Sequence, residues 1–224
     1  MLVKRITKAL EDAFVPDWNT IRKSLDAECS RLAHDPESAP PIVVQRLLVS
    51  GEDHRHARHP GFDFVAICRA CWRRFSRGTH EGASTIEQQV VRVLTGRYER
   101  TLARKLREIV LATLVARRYP KQYLPAVYLV IGYYGWRMNG YRQACRRLGL
   151  SPRSPSKDEA ARLVARLKYP QPQTASMQRM SQIERRANHL CVLYRKHTLD
   201  GTYRHLNDQS IRNRPVPFEP LPQP

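Results

Sequence analysis

Apolar residues in this chain recur every three or four positions, segment after segment, while strand-like alternation is rare and only 10 of 224 residues are Gly. A polypeptide patterned this way buries one stripe of each helix, so the expected architecture is all-α. The spacing predicts helices over residues 2–14, with Leu2, Ile6, Leu10 and Phe14 on one face, and from Trp18 to Leu32. After the Pro-rich break Asp35–Pro41 a further helix runs up to Glu52. Asp63 to Arg77 places Phe64, Ile67, Cys68, Cys71 and Phe75 at core-facing intervals, with Arg69, Arg73, Arg74 and Arg77 on the other side.

Gly78 and Gly82 bound a mobile loop, and Ser84 with Glu87 three residues later forms a capping box, so a helix is expected to start at Ser84. Arg100 to Arg118 reads as a long helix on which Arg100, Arg104 and Glu108 share a face. Lys121 to Tyr134 follows, with Pro125 either in its first turns or kinking it, and then Gly140 to Leu148. Ser156 and Glu159 repeat the capping box for a helix to Leu167, and Ile183 to Lys196 makes the last one. The length suits one domain with a substantial core, divided into an N-terminal helical extension over 1–37, a main body over 38–200 and a Pro-rich, flexible tail over 201–224.

The most pointed chemistry lies at Ser50 to Asp63. The apolar run Ile42-Val43-Val44 with Leu47-Leu48-Val49 predicts a buried helix whose end delivers Glu52 and Asp53, either into a cleft as working acids or to the surface as members of local ion pairs. His54, Arg55, His56, Arg58 and His59 crowd them, and cations so close favour ionised carboxylates. The H-x-H-x-x-H spacing of the histidines is only weakly specific for a metal, so none is assigned there.

Lys and Arg (39) outnumber Asp and Glu (20), which implies an anionic partner: nucleic acid, an acidic membrane surface or a phosphorylated substrate. No zinc-finger, RNP or basic-zipper pattern accompanies the charge, so nucleic acid is not expected. Five cysteines, an odd number without scaffold spacing, read as buried or incidental thiols. The longest apolar run, Ile109 to Ala116, is far short of the ~18 residues that span a bilayer. Lys8, Glu11 and Asp12 interrupt anything that could serve as a signal peptide.

Several ordered motifs together resemble the peptidoglycan glycosyltransferases, glycosyltransferase family 51, found in bifunctional penicillin-binding proteins and monofunctional transglycosylases. They are Glu52-Asp53 with His59 and Gly61-Phe62-Asp63, then Gly82-x-Ser84-Thr85-Ile86-x-Gln88-Gln89, then Arg104-Lys105-x-x-Glu108. Lys121, Tyr128-Leu129, Gly135, Gly140 and the run from Asp158-Glu159 to Pro172 extend the likeness to about residues 43–198. Ordered coincidence is more specific than any single motif.

The resemblance implies a lysozyme-like, multi-helix domain at the outer face of the cytoplasmic membrane, where lipid II and the growing glycan chain meet alongside other cell-wall synthesis proteins. It implies inverting transfer, with Glu52 as general base on an acceptor sugar 4-hydroxyl and an undecaprenyl pyrophosphate departing from the donor. Glu108 is the second catalytic carboxylate, orienting cations or helping to hold a divalent Mg or Mn beside the pyrophosphate. Asp53, His59, Ser84, Thr85, Gln88, Gln89, Arg92, Arg100, Arg104 and Lys105 fall on substrate-binding positions. An anion departs from such a centre, so cations and N–H donors lower the barrier, and the helix start at Ser84 is a candidate donor.

The chain also departs from the family pattern. His56 stands where an aromatic is usual, Glu87 where a threonine is usual, Arg92-Val93 in place of Lys-Asn, and Ala126 and Val130 in place of Glu and Asn. The usual N-terminal membrane helix is missing from the pattern. A relative that binds lipid-linked cell-wall glycan or a cell-wall partner without catalysis is therefore the alternative reading.

Overall fold

In the computed structural model the first helix, α1, spans Leu2–His34, followed by α2 at Ile42–Glu52 and α3 at Phe64–Arg77. Next come α4 at Ile86–Thr95, α5 at Leu102–Arg118 and α6 at Leu124–Ile131. A two-strand antiparallel hairpin, β1 at Tyr133–Gly135 and β2 at Met138–Asn139, precedes α7 at Tyr141–Leu148. The last helices are α8 at Lys157–Lys168 and α9 at Met177–Leu199. The structure describes residues 2–77 and 82–206, the side chains of 2–13, 71, 74 and 77 excepted. The loop expected from Gly78, the tail beyond 206 and the face Leu2, Ile6, Leu10 thus lie wholly or mostly outside the described residues.

The fold is all-α and lysozyme-like, with α2 at its centre. Val44, Leu47, Leu48 and Val49 are fully buried, and the helix packs against α6, α8 and α9. Burying such side chains contributes roughly 1.5–3 kcal/mol each, so α2 is among the best-anchored elements, and its last residue is Glu52. The helix α4 packs across α1, α5 and α6 through buried Ile86, Val90 and Val91.

Four details differ from the sequence reading. The first two helices are one: α1 runs through Pro16, whose fixed φ is helical and whose missing N–H costs one bond in a long ladder. Beyond Pro16, Ile21, Leu25, Cys29 and Leu32 enter the common core. At the other end Tyr203 and Leu206, beyond the expected boundary at residue 200, are buried in that same core. The segment after Ile131 forms a hairpin rather than helix. Most notably, the stripe on α3 faces largely outward: Phe64 is 68% and Phe75 90% exposed, Cys68 is exposed and Ile67 half-buried, and Trp72 beside them is 72% exposed. Periodicity reported the stripe correctly, but no described element of the chain covers it.

Between α2 and α3 the chain turns at Gly61, where φ is +105°. A Cβ there would sit 2.3 Å from the carbonyl oxygen of Ala112 on α5, so only glycine lets the loop carrying Asp53 and His59 press against that helix.

Candidate active site

A cleft of about 1230 Å³ opens beside the C-terminal end of α2. Its walls include Glu52, Ser84, Gln89 and Arg92 on one side and Arg186 and His189 of α9 on the other. Glu52 is held at both oxygens: Arg186 Nη2 donates to Oε1 at 2.9 Å and Gln89 Nε2 donates to Oε2 at 3.1 Å. A carboxylate offers about four lone-pair sites, so each oxygen keeps one available to a proton. Arg186 also donates to the Gly51 carbonyl at 2.7 Å. Gly51 is what admits α9 so close, since a Cβ there would lie 2.3 Å from Leu190 Cδ2 and 2.9 Å from Arg186 Nη2.

Asp53, adjacent in sequence, does different work. It is buried, contacts His59 Nε2 at 3.0 Å and accepts the amide of Ile86 at 3.1 Å. It therefore binds the start of α4 from outside. The expected cap at Ser84 is corrected by one residue: Thr85 is the N-cap and its box partner is Gln88. Thr85 Oγ1 donates to the Gly61 carbonyl at 2.7 Å, and Gln88 is fully buried. With Asp53 on one leading amide and Thr85 on another, the N-terminus of α4 is occupied internally rather than presented to a phosphate.

Glu87 turns inward as well. It is fully buried, 2.8 Å from Lys121 Nζ and 3.4 Å from His56 Nε2. Burial pushes its carboxyl up, but the His56 hydrogen bond and the charges of His56, Lys121 and His59 outweigh this and hold it down at about 2. Asp53, His59 and Glu87 are close enough together to suggest a metal site. The Lys121 ammonium already fills that role, reaching Glu87, His59 Nδ1 at 3.4 Å and the His56 carbonyl at 2.6 Å.

Glu108 is 3% exposed and lies among three cations. Arg92 donates to it with Nε at 3.1 Å and Nη2 at 3.0 Å, Lys105 Nζ at 3.0 Å, and Arg104 Nη1 completes the set. Burial raises the Glu108 carboxyl, yet the Arg92 hydrogen bonds and the Lys105 charge bring it below its ordinary value. Burial likewise lowers the Lys105 ammonium against the pull of Glu108. Ser84 Oγ accepts from both Arg92, at 3.4 Å, and Lys105, at 3.1 Å, which ties the cluster to the cleft wall. A divalent ion does not fit at Glu108, because both its oxygens are engaged by cations that would repel a metal. Arg100 does not join them: α5 begins only at Leu102 after the N-cap Thr101, which leaves Arg100 exposed ahead of the helix.

Glu52 and Glu108 are thus linked across one turn of α4, through Gln89 on one and Arg92 on the other. The sequence matches the family model described as Transglycosylase over residues 19–195. This chain belongs to the transglycosylase family. A biosynthetic peptidoglycan transglycosylase of Thiobacillus denitrificans is 33% identical over 129 residues, 57% of this chain and 56% of that one. A monofunctional glycosyltransferase of Staphylococcus epidermidis is 36% identical over 95 residues, 42% and 35% of the two chains. Penicillin-binding protein 1A of Rickettsia felis is 33% identical over 104 residues, 45% of this chain and 13% of the other. The chain spans about half the length of the biosynthetic relative and less of the other two.

Among the family positions expected to bind substrate, the fold puts Ser84, Gln89 and Arg92 on the cleft with Glu52, and Asp53 and Thr85 form part of the wall. His59, Gln88, Arg104, Lys105 and Glu108 support that wall from behind, and Arg100 stands apart. The residue that sequence reasoning missed is Arg186. It sits 134 positions from Glu52, and the local signal for it was the glycine at 51, a mark of close approach.

Proposed function

We propose that this transglycosylase polymerises lipid II into glycan strands. What carries the reading is one arrangement: Glu52 fixed in a basic cleft by Gln89 and Arg186, with Arg92 and its buried neighbours one helical turn away. Glu52 takes the proton of the acceptor 4-hydroxyl as that oxygen bonds to the donor's anomeric carbon. The bond from that carbon to the pyrophosphate breaks, its electron pair leaves with the phosphate, and the configuration inverts. Negative charge grows on the leaving group where Arg92 faces the cleft and Lys105 and Arg104 reinforce the local positive field.

The test is incubation of purified protein with lipid II in detergent, with and without Mg or Mn, and separation of the products by gel. Ladders of glycan strands are expected. Saturable lipid II binding with no product under any condition would favour the noncatalytic alternative.

The same reading calls for a membrane-borne substrate at the outer face of the cytoplasmic membrane. The outward stripes supply a means of contact: Phe64, Trp72 and Phe75 on α3, and Leu102 and Leu106 on α5, at 84% and 65% exposure. Among the described residues no helix is long and apolar enough to cross a bilayer, so contact through these faces is interfacial. Co-sedimentation with anionic phospholipid vesicles is expected for the wild type. The loss expected for Trp72→Glu with Phe75→Glu is roughly tenfold or more in vesicle affinity, from two aromatics no longer inserted at the lipid surface. Equal sedimentation of both proteins would dismiss these faces.

A further inference from the structure

The end of α9 and the short turn that follows it, residues 200–206, touch the end of α2 and the loop after it at three positions, through His197 of the helix and through Tyr203 and His205 of the turn. Before Glu52, Ser50 Oγ meets both the Tyr203 hydroxyl and His197 Nδ1, the latter at 3.2 Å. Just after it, His54 stacks on His197 with ring centroids 5.4 Å apart and planes 9° from parallel. Further on, His56 Nδ1 lies 3.1 Å from His205 Nε2. Ser50, His56, His197 and Tyr203 are all buried. The contacts therefore bracket Glu52 at two positions before, two after and four after, on a stretch that leaves α2 and has no regular structure of its own until α3 apart from one short 3₁₀ turn.

We infer that the 200–206 turn positions the end of α2 and the loop that follows Glu52, with Tyr203 and His205 as positioning residues. This rests on Glu52 being the base. The turn lies outside the matched transglycosylase region, which ends at residue 195. Across the loop, His56 and Glu87 contact each other and Lys121. His56 is thereby gripped from two sides, by Glu87 and Lys121 in the wall and by His205 on the turn. A bond between two imidazoles needs one donor and one acceptor, which fails if both rings are charged. Burial, with the charges of His56 and Lys121 against the weaker pull of Asp53 and a backbone bond at Thr202, lowers His205 to about 4, so it is neutral at pH 7.

Simple packing of this turn is the competing explanation, and Leu206, 7% exposed within it, represents it. The experiment compares wild type, Tyr203→Phe, His205→Ala, His205→Gln and Leu206→Ala by hydrogen exchange and lipid II kinetics, well below each melting temperature. In Tyr203→Phe and His205→Ala, exchange over residues 52–59 is expected to speed up while α6 stays protected. The kcat falls roughly 10–100-fold, the scale of a misplaced catalytic group, with KM within about twofold. His205→Gln, which can still hydrogen-bond His56, recovers much of the rate. Leu206→Ala lowers the melting temperature without this split. Unchanged loop exchange, or rates that only track stability across all four variants, overturns the inference. Wild-type protein without turnover overturns the catalytic reading instead, and the exchange data then decide the coupling on their own.

Discussion

Glu52→Gln is expected to reduce lipid II polymerisation by roughly 10²–10⁴-fold, the range for a lost general base. The substitution is nearly isosteric and keeps a carbonyl oxygen for Arg186. Its amide nitrogen would face the Gln89 Nε2 that now donates to Glu52, but the Gln89 amide can turn over and accept instead. The fold should hold, because α2 is anchored by Val44, Leu47, Leu48 and Val49 and not by its last residue. Lipid II affinity should hold as well, since Arg92 and Ser84 are untouched. Turnover and binding measured on the same preparation separate these effects. A variant that polymerises at the wild-type rate would strip Glu52 of the role.

Much of this site could be read from the sequence because its parts are local. Apolar spacing before Glu52 located both a helix and its end, and Ser156 with Glu159 marked the start of α8 at the observed residue. The start of α4 was misread for a physical reason. Ser84-x-x-Glu87 and Thr85-x-x-Gln88 are overlapping boxes one residue apart, and either satisfies the local pattern. The choice is made from outside the helix, by Asp53 accepting the Ile86 amide and by Lys121 drawing Glu87 into the interior. The outward stripe of α3 teaches a related lesson, since spacing identifies an apolar face but not what lies against it. Arg186 reaches Glu52, and Tyr203 and His205 reach Ser50 and His56 on either side of it, across about 130–150 positions; Gly51 marks a close approach, but no local pattern names the partner. His56 and Glu87, two apparently separate departures, prove to be partners.

The largest stability effect is expected at Glu108. Its two oxygens pair with Arg92, Arg104 and Lys105 and supply the one negative charge among them, and the side chain is 3% exposed, so Glu108→Gln leaves three cations facing one another around a neutral amide. Removing one member of a buried ionic set costs about 3–5 kcal/mol, and the lower end applies because the cations retain 28%, 15% and 29% exposure and can swing toward water. About 3 kcal/mol corresponds to roughly 6–12 °C in Tm for a chain of this size. Polymerisation should fall together with stability, because released cations no longer converge on Ser84 at the cleft wall. Adding Lys105→Met to Glu108→Gln separates the two consequences. Removing one of the repelling charges should restore part of the Tm, whereas the rate should stay low, since a cation that reinforces the positive field behind the cleft wall is lost with it. A Glu108→Gln protein that melts with the wild type would mean that the three cations do not depend on this carboxylate.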